Sequence, residues 1–392
     1  MSSITPVVPA VVAPATPPRL AAPNLPALRW DGRSSRLFAI GLGNLLLCLL
    51  TLGTYRFWGL ARMRREIWAH QALLGDRAEY TGTGGELFRG FLKAMLVLVP
   101  PLLAAGILES LASLDRRLAW GFAAAKLAGL VYLAGAARHA ARRYLASRTR
   151  WRAIRFALDG SPWRFGLVSL GWMLLTVATL GLARPWAVAA EARWTLGRLH
   201  LGTEPVRFKG RGIELLRPHL VALLFVAFVT AAVWLAIAGP VAAALHEPLR
   251  AQLADADLPP EGKAAVRFAV LAGIPLLAAL ALASPAVLVA WLSVAARVMR
   301  WRAEGTVLGG AHFAMPEVTG WQVAWLRIGN GLLLLLSLGL LRPVTLARNA
   351  AFWAEHLVLD REPDLSRVRQ AARGPGTGEG MADMLAVGSF GA

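Results

Sequence analysis

Seven apolar stretches mark this chain, several of them uncharged and far longer than a soluble core helix needs, and they dictate the solvent in which it folds. They lie at 37–55, 94–108, either side of Lys126 within 119–137, 165–183, 220–245, 268–296 and 328–341. A full membrane span wants about 20 residues. The runs at 220–245 and 268–296 are ample, and Gly273, Pro275 and Pro285 predict kinks in the second of these. The run at 94–108 needs Phe91, Leu92 and a snorkelling Lys93 to be long enough. That at 328–341 is the shortest, about 21 Å as a helix. With 56% hydrophobic residues and a mean hydropathy of +0.52, the whole chain reads as an integral membrane protein. The fold class that follows is all-α: a polytopic helical bundle with about seven apolar helical segments.

The charge balance is lopsided, with 42 Lys plus Arg against 23 Asp plus Glu and a formal net charge of +19. In a soluble chain this would point to nucleic acid. Here the basic residues occupy the segments between apolar runs, where the positive-inside rule places them, so no nucleic-acid partner is expected. Lysines are confined to Lys93, Lys126, Lys209 and Lys263, and the remaining basic residues are arginines, whose planar fork suits phosphate head groups.

Enzyme and cofactor signatures are missing. A single cysteine, Cys48, excludes an internal disulfide. The histidines show no metal-binding spacing, and neither a phosphate loop nor a GxSxG elbow occurs. No cofactor and no metal are expected, and an enzyme is unsupported. The first 28 residues hold seven prolines and no acid, and are expected to form a disordered cytoplasmic tail. Residues 371–392 are Gly-rich and are expected to be flexible.

Between the tails one phrase occurs three times. "TLGTYRFW" from Thr51, "TLGLARPW" from Thr179 and "SLGLLRPV" from Ser337 are offset by 128 and 158 residues. These shifts superpose Gly43, Gly171 and Gly329, then Gly53, Gly181 and Gly339, then Arg56, Arg184 and Arg342, and they set Asn44 on Asn330. The 128 shift also pairs Tyr80 with Phe208, Gly82 with Gly210, Glu86 with Glu214 and Arg89 with Arg217. A looser echo joins the RWRA of Arg150 to that of Arg300. The expected organisation is a membrane unit at 29–163, a second at 164–320 and a truncated third at 321–370.

The string "TLGTYRFWGLARMRREIW" followed by "GDRAEYTGTGGELFRGFL" resembles the YjgN-type bacterial inner-membrane proteins, a family of unknown function. The resemblance extends over about residues 29–369 and is most specific in the first copy; Arg342-Pro343-Val344 departs from it by losing the tryptophan. It implies a multi-pass protein of the bacterial inner membrane and no particular chemistry.

Loop charge orients such a chain. Segments 56–93 (seven basic, four acidic), 138–164 (eight and one), 184–217 (seven and three) and 297–327 read as cytoplasmic. Segments 109–118 and 246–267 are nearly balanced and read as periplasmic. A parity problem results, because each TLG run is a single apolar segment between two basic loops. Either the three runs cross and violate the charge rule, or each enters from the cytoplasm and turns back near its glycine. The charge parity and the short third run favour re-entry.

Gly53, Gly181 and Gly339 are expected to be structural turns. Arg56, Arg184 and Arg342, with Trp58 and Trp186, fit interfacial anchors, and in the sharper reading they converge on one anionic ligand. Asn44 and Asn330 read as interhelical hydrogen-bond glue before they read as ligand contacts. Lys126 either snorkels to the periplasmic face or faces a cavity and pairs with an anion or with Glu109. Partners expected from this inventory are membrane lipids with anionic head groups and a small anionic solute. The function these residues favour is a transporter or permeation protein for such a solute. A structural or lipid-organising membrane protein without transport is the alternative, and a membrane enzyme acting on lipid head groups is the third.

Overall fold

The computed structural model describes residues 25–112, 115–254, 256, 258–366 and 368–370. Strands β1 (Leu25–Pro26) and β2 (Leu28–Trp30) lead into helices α1 (Ser34–Leu50) and α2 (Arg56–Ala69), then strands β3 (Gln71–Leu73) and β4 (Asp76–Tyr80). Two longer helices, α3 (Gly84–Ala112) and α4 (Arg116–Arg148), bring the chain to β5 (Thr149–Trp151) and β6 (Ile154–Leu158). Next come α5 (Pro162–Ala178), α6 (Arg184–Thr195), β7 (Leu199–Leu201), β8 (Glu204–Pro205) and β9 (Arg207–Phe208). Helix α7 (Leu216–Ala254) runs out, and α8 (Pro260–Phe268), α9 (Ile274–Leu282) and α10 (Ser284–Glu304) run back to β10 (Thr306–Leu308) and β11 (Ala311–Ala314). The last hairpin is α11 (Gly320–Leu336) with α12 (Arg342–His356), followed by β12 (Val358–Leu359).

Helix dominates, as the apolar runs require, and four helical segments are long and apolar enough to cross a membrane: Gly84–Ser110, Arg117–Arg148, Gly212–Ala254 and Pro260–Leu282. The runs at 37–55, 165–183 and 328–341 instead fall in helices of 17 residues, about 26 Å each. The prolines act where expected. A π-helical turn at Ala269–Gly273 precedes Pro275, and the helix restarts at Ser284 just before Pro285, because proline has no N–H to give and displaces the carbonyl one turn back.

The T/S-L-G phrase has one geometry in all three places. The amide of Gly53 donates to the Cys48 carbonyl (2.6 Å), that of Gly181 to Thr176 (2.7 Å) and that of Gly339 to Leu334 (2.7 Å), the long-range bond of a Schellman end. Closing it takes two successive left-handed residues, with φ of 49° and 87° at Leu52 and Gly53, 50° and 94° at Leu180 and Gly181, and 49° and 87° at Leu338 and Gly339. The hydroxyl that opens the phrase serves the following helix. Oγ1 of Thr51 accepts from the Tyr55 amide (3.0 Å), Oγ1 of Thr179 from Ala183 (3.0 Å) and Oγ of Ser337 from Leu341 (3.1 Å). One tripeptide thus ends one helix and caps the next, making a hairpin whose tip exposes Leu52, Leu180 and Leu338.

The strands are the feature that the hydropathy pattern hides. They form a seven-stranded antiparallel sheet, β2 through β8 in order, and a five-stranded one in the order β1-β12-β11-β10-β9. The two join at both ends. Ala27 links β1 to β2, its amide donating to Leu357 and its carbonyl accepting from Leu74, while Val206 links β8 to β9 and donates to Leu199. The result is a closed band without free edges among the described residues, filled by Trp151, Leu201, Val206 and Leu308 with Leu73, Phe156 and Phe313 around them. Residues 361–366 and 368–370 cross its turn end. Leu365 and Val368 enter that core, and the Asp364 amide donates to the Gly309 carbonyl.

Every helical hairpin leaves this band and returns to a neighbouring strand. Residues on either side of α1–α2 pair (Leu28 with Leu73), as do those flanking α3–α4 (Ala78 with Trp151), α5–α6 (Phe156 with Leu201), α7–α10 (Phe208 with Thr306) and α11–α12 (Phe313 with Leu359). Both long hairpins are tied near the band by the carboxylates the 128 shift superposes. Glu86 accepts from Arg148 Nε (2.9 Å) and Tyr144 Oη (3.3 Å), and Glu214 from Trp301 Nε1 (2.6 Å).

Two sequence expectations need correction. Residues 25–28 are paired strand and not tail, because Leu25 and Ala27 pack beside Ala311 and Leu359; residues 1–24 and 371–392, the rest of the expected tails, lie outside the described residues. The RWRA echo does not superpose either. Trp151 is in strand β5 and Trp301 in helix α10, so the two stand in different kinds of element.

Candidate anion-binding site

Arg56, Arg184 and Arg342 open α2, α6 and α12, each exposed beside its leucine tip, with Trp58 and Trp186 also exposed. Asn44 and Asn330 hold hairpin arms together: Nδ2 of Asn44 donates to the Gly59 carbonyl (3.1 Å) and Nδ2 of Asn330 to Oδ1 of Asn349 (2.9 Å). Lys126 pairs with Glu109 across α3 and α4 at an exposed position.

Of these residues only Arg184 reaches a larger constellation. Helix α4 carries Arg138 and Arg142 one turn apart, so both lie on one face. Helix α6 presents Glu191, two turns from Arg184 on the same face. Nη1 of Arg142 donates to Glu191 Oε1 at 3.2 Å. Arg302, in the last turn of α10, lies within the field of Glu191, Arg142, Arg184 and Arg327, the last from α11. Arg327 also stands over the Trp291 ring at 5.2 Å. The Nε atoms of Arg138 and Arg302 are buried and make no hydrogen bond.

Three guanidinium groups, those of Arg142, Arg302 and Arg138, therefore act on one carboxylate, and Arg184 and Arg327 act in turn on Arg302. Burial pushes the Glu191 carboxyl up, but Arg142, Arg302 and Arg138 outweigh it and hold the group below the usual carboxylate range. Burial is also the main cause that depresses Arg302; Glu191 opposes it, and Arg142, Arg184 and Arg327 add to it. Like charges repel by about 4 kcal/mol at 4 Å in an effective dielectric of 20, decaying inversely with distance. A cluster with this excess is stabilised by a further anion, and arginine forks offer such an anion bidentate bonds. Beside it the buried His139 stacks on Phe165 (5.1 Å) and meets the edge of Trp194 (6.0 Å), an aromatic wall between α4, α5 and α6.

The family model described as a bacterial protein of unknown function (DUF898) matches residues 26–384. The chain belongs to this family. Curated relatives agree: the inner membrane protein YjgN of Salmonella typhimurium is 33% identical over 72 residues, 18% of each chain. That of Escherichia coli K12 is 39% identical over 59 residues, 15% of each chain. The aligned stretches thus cover less than a fifth of those relatives. No solved structure matches. With relatives named as inner membrane proteins and four helices able to span, this DUF898 chain is a membrane protein.

Sequence reasoning missed Arg138, Arg142, Glu191, Arg302 and Arg327. One signal was present: Glu191 is the single acid between Asp159 and Glu204, in a segment otherwise basic. An isolated carboxylate among arginines is a candidate for a buried pair.

Proposed function

We propose that the protein binds and passes a small anionic solute across the inner membrane, and that Arg138, Arg142, Arg184, Arg302 and Arg327 receive that solute around Glu191. The observation that carries this reading is the surplus of guanidinium over carboxylate at the joint of two long and two short hairpins. The strand band and the basic loops face the cytoplasm, the far ends of the long hairpins face the periplasm, and the three short hairpins are re-entrant. Same-side return is supported by the pairing of the strands that flank each short hairpin. In this reading the repeated units, two full and one truncated, are arranged about a common axis, as in other repeat-built carriers. The band is filled with side chains, so the solute passes beside its axis and not through it.

Uptake into proteoliposomes tests the reading, screened over phosphate, sulfate and small carboxylates with empty liposomes as the control. Wild type should accumulate at least one anion, Arg302→Gln should reduce uptake ten-fold or more, and Arg302→Lys should restore little, because a lysine lacks the bidentate fork. Absence of uptake, with no anion binding to the purified protein by calorimetry, sinks it. Lipid organisation without transport is the second reading, favoured by the bare leucine tips with an arginine beside each and a tryptophan two residues on in two of them.

A further inference from the structure

A second cationic site lies at the opposite end of the molecule. The spans Gly212–Ala254 and Pro260–Leu282 meet far from the strands, and between them is a cavity of about 770 Å³. Three cations line it, Arg250, Lys263 and Arg267, against an apolar wall that includes Leu253, Phe268 and Leu271, and no carboxylate lines it among the described residues. Lys263 Nζ donates to the Ala254 carbonyl (3.2 Å) at the end of α7, and Arg267 is bonded to His246, whose ring also pairs with Glu247. Arg250 has no hydrogen bond or ion pair among the described residues. The π-helical turn Ala269–Gly273 supplies Leu271 and Ala272, so the cavity opens where the helix is locally widened.

We infer that this cavity holds an anionic phospholipid, with its phosphate among Arg250, Lys263 and Arg267 and an acyl chain along Leu253, Phe268 and Leu271. The charge pattern selects the occupant. A free anion has no use for the apolar wall, and an anionic head group gains more from three lining cations than a zwitterionic one. The volume is in the range of ligand sites, and the ends of two spans lie at head-group level, where phosphates are.

The test uses the full chain in detergent after delipidation, with dioleoylphosphatidylglycerol or dioleoylphosphatidylcholine added. Retained lipid is counted by native mass spectrometry and stability is followed by thermal unfolding. The phosphatidylglycerol should bind and raise the midpoint at lower concentration than the phosphatidylcholine, and inorganic phosphate alone should do neither. Removing all three charges (R250Q, K263Q, R267Q) should weaken phosphatidylglycerol binding by about a hundred-fold, since each basic residue near anionic lipid contributes about five-fold. Leu271→Trp keeps the charges but fills the cavity and should abolish retention, with Leu253→Phe as the milder form should the first fail to fold. Arg302→Gln should leave lipid binding intact, which separates this site from the proposed solute site. Equal retention of the two lipids, or retention of phosphatidylglycerol by the filled variant, overturns the inference.

Discussion

The short and the long hairpins leave the same strand band and solve different problems. In the short ones the outgoing helix is a leucine-rich rod of 17 residues, and the returning helix is packed inside: α6 buries Pro185, Ala187, Val188, Ala189, Ala190 and Ala192. In the long ones most of the apolar surface stays bare. The most apolar window of Gly212–Ala254 has no buried residue, and that of Arg117–Arg148 is 6% buried. Exposed apolar surface on this scale needs lipid around it, whereas the small residues of α6 let backbones approach within the protein. The long hairpins leave apolar surface bare on both arms, whereas the short ones leave it bare on the outgoing helix and the tip and bury the returning helix.

The largest expected effect tests that contrast directly. Leu235→Arg, at an exposed site in the middle of α7, should cost about 3 kcal/mol of insertion free energy, the value for arginine at a bilayer centre. Leu52→Arg, on a tip, should cost clearly less if the short hairpins stop near the interface. Insertion measured for both in one translocon assay would break the comparison if the two penalties were equal.

Next comes the joint between the two kinds of hairpin. Glu191→Gln leaves Arg142, Arg302 and Arg138 without their carboxylate and should destabilise the fold by about 3 kcal/mol at neutral pH, in the range for breaking a buried pair. The pH dependence has a definite sign. The carboxyl is held below its ordinary value of 4.5 in the fold, so its stabilisation is present above that value and is lost as pH falls through the lower, folded value. The difference in unfolding free energy between wild type and Glu191→Gln should therefore shrink on acidification below about pH 4.5. A difference that grows in acid would contradict the assigned pair.

Smaller effects sharpen the turns. Gly181→Ala, at φ 94°, should cost about 1 kcal/mol by the steric penalty of left-handed backbone, and Leu180→Gly should recover a similar amount. Gly53 and Gly339 should behave alike in thermal unfolding, since their geometry is the same. Smallest of all, Asn349→Ala should cost about 0.5 kcal/mol, the low end for a hydrogen bond, by removing the acceptor for Asn330, and it should leave the long hairpins unaffected in hydrogen exchange.

Much of the architecture was legible because hydrophobic length and charge are local quantities. The uncharged runs, the kinks at Pro275 and Pro285 and the helix end at each T/S-L-G could be read from one stretch of chain at a time. The strands could not. Most have two or three residues, too short for alternation to register, and their partners lie as far apart as Leu25 and Leu359. The candidate site was half legible: Arg184 stood out because it repeats, while Arg138, Arg142, Arg302 and Arg327 looked like ordinary members of basic loops.

By itself, then, the sequence determined the solvent and the punctuation: apolar runs that must meet lipid, and a tripeptide whose hydroxyl and glycine end one helix and start another wherever it occurs. Tertiary structure alone decided that five hairpins hang from a closed strand band and that Glu191 faces arginines from α4 and α10. The physical reason is range. A hydroxyl caps a helix start four residues away, and burial of an apolar run needs no named partner. Strand pairing and a buried ion cluster depend on which distant residues are brought together, and that is settled only when the band closes.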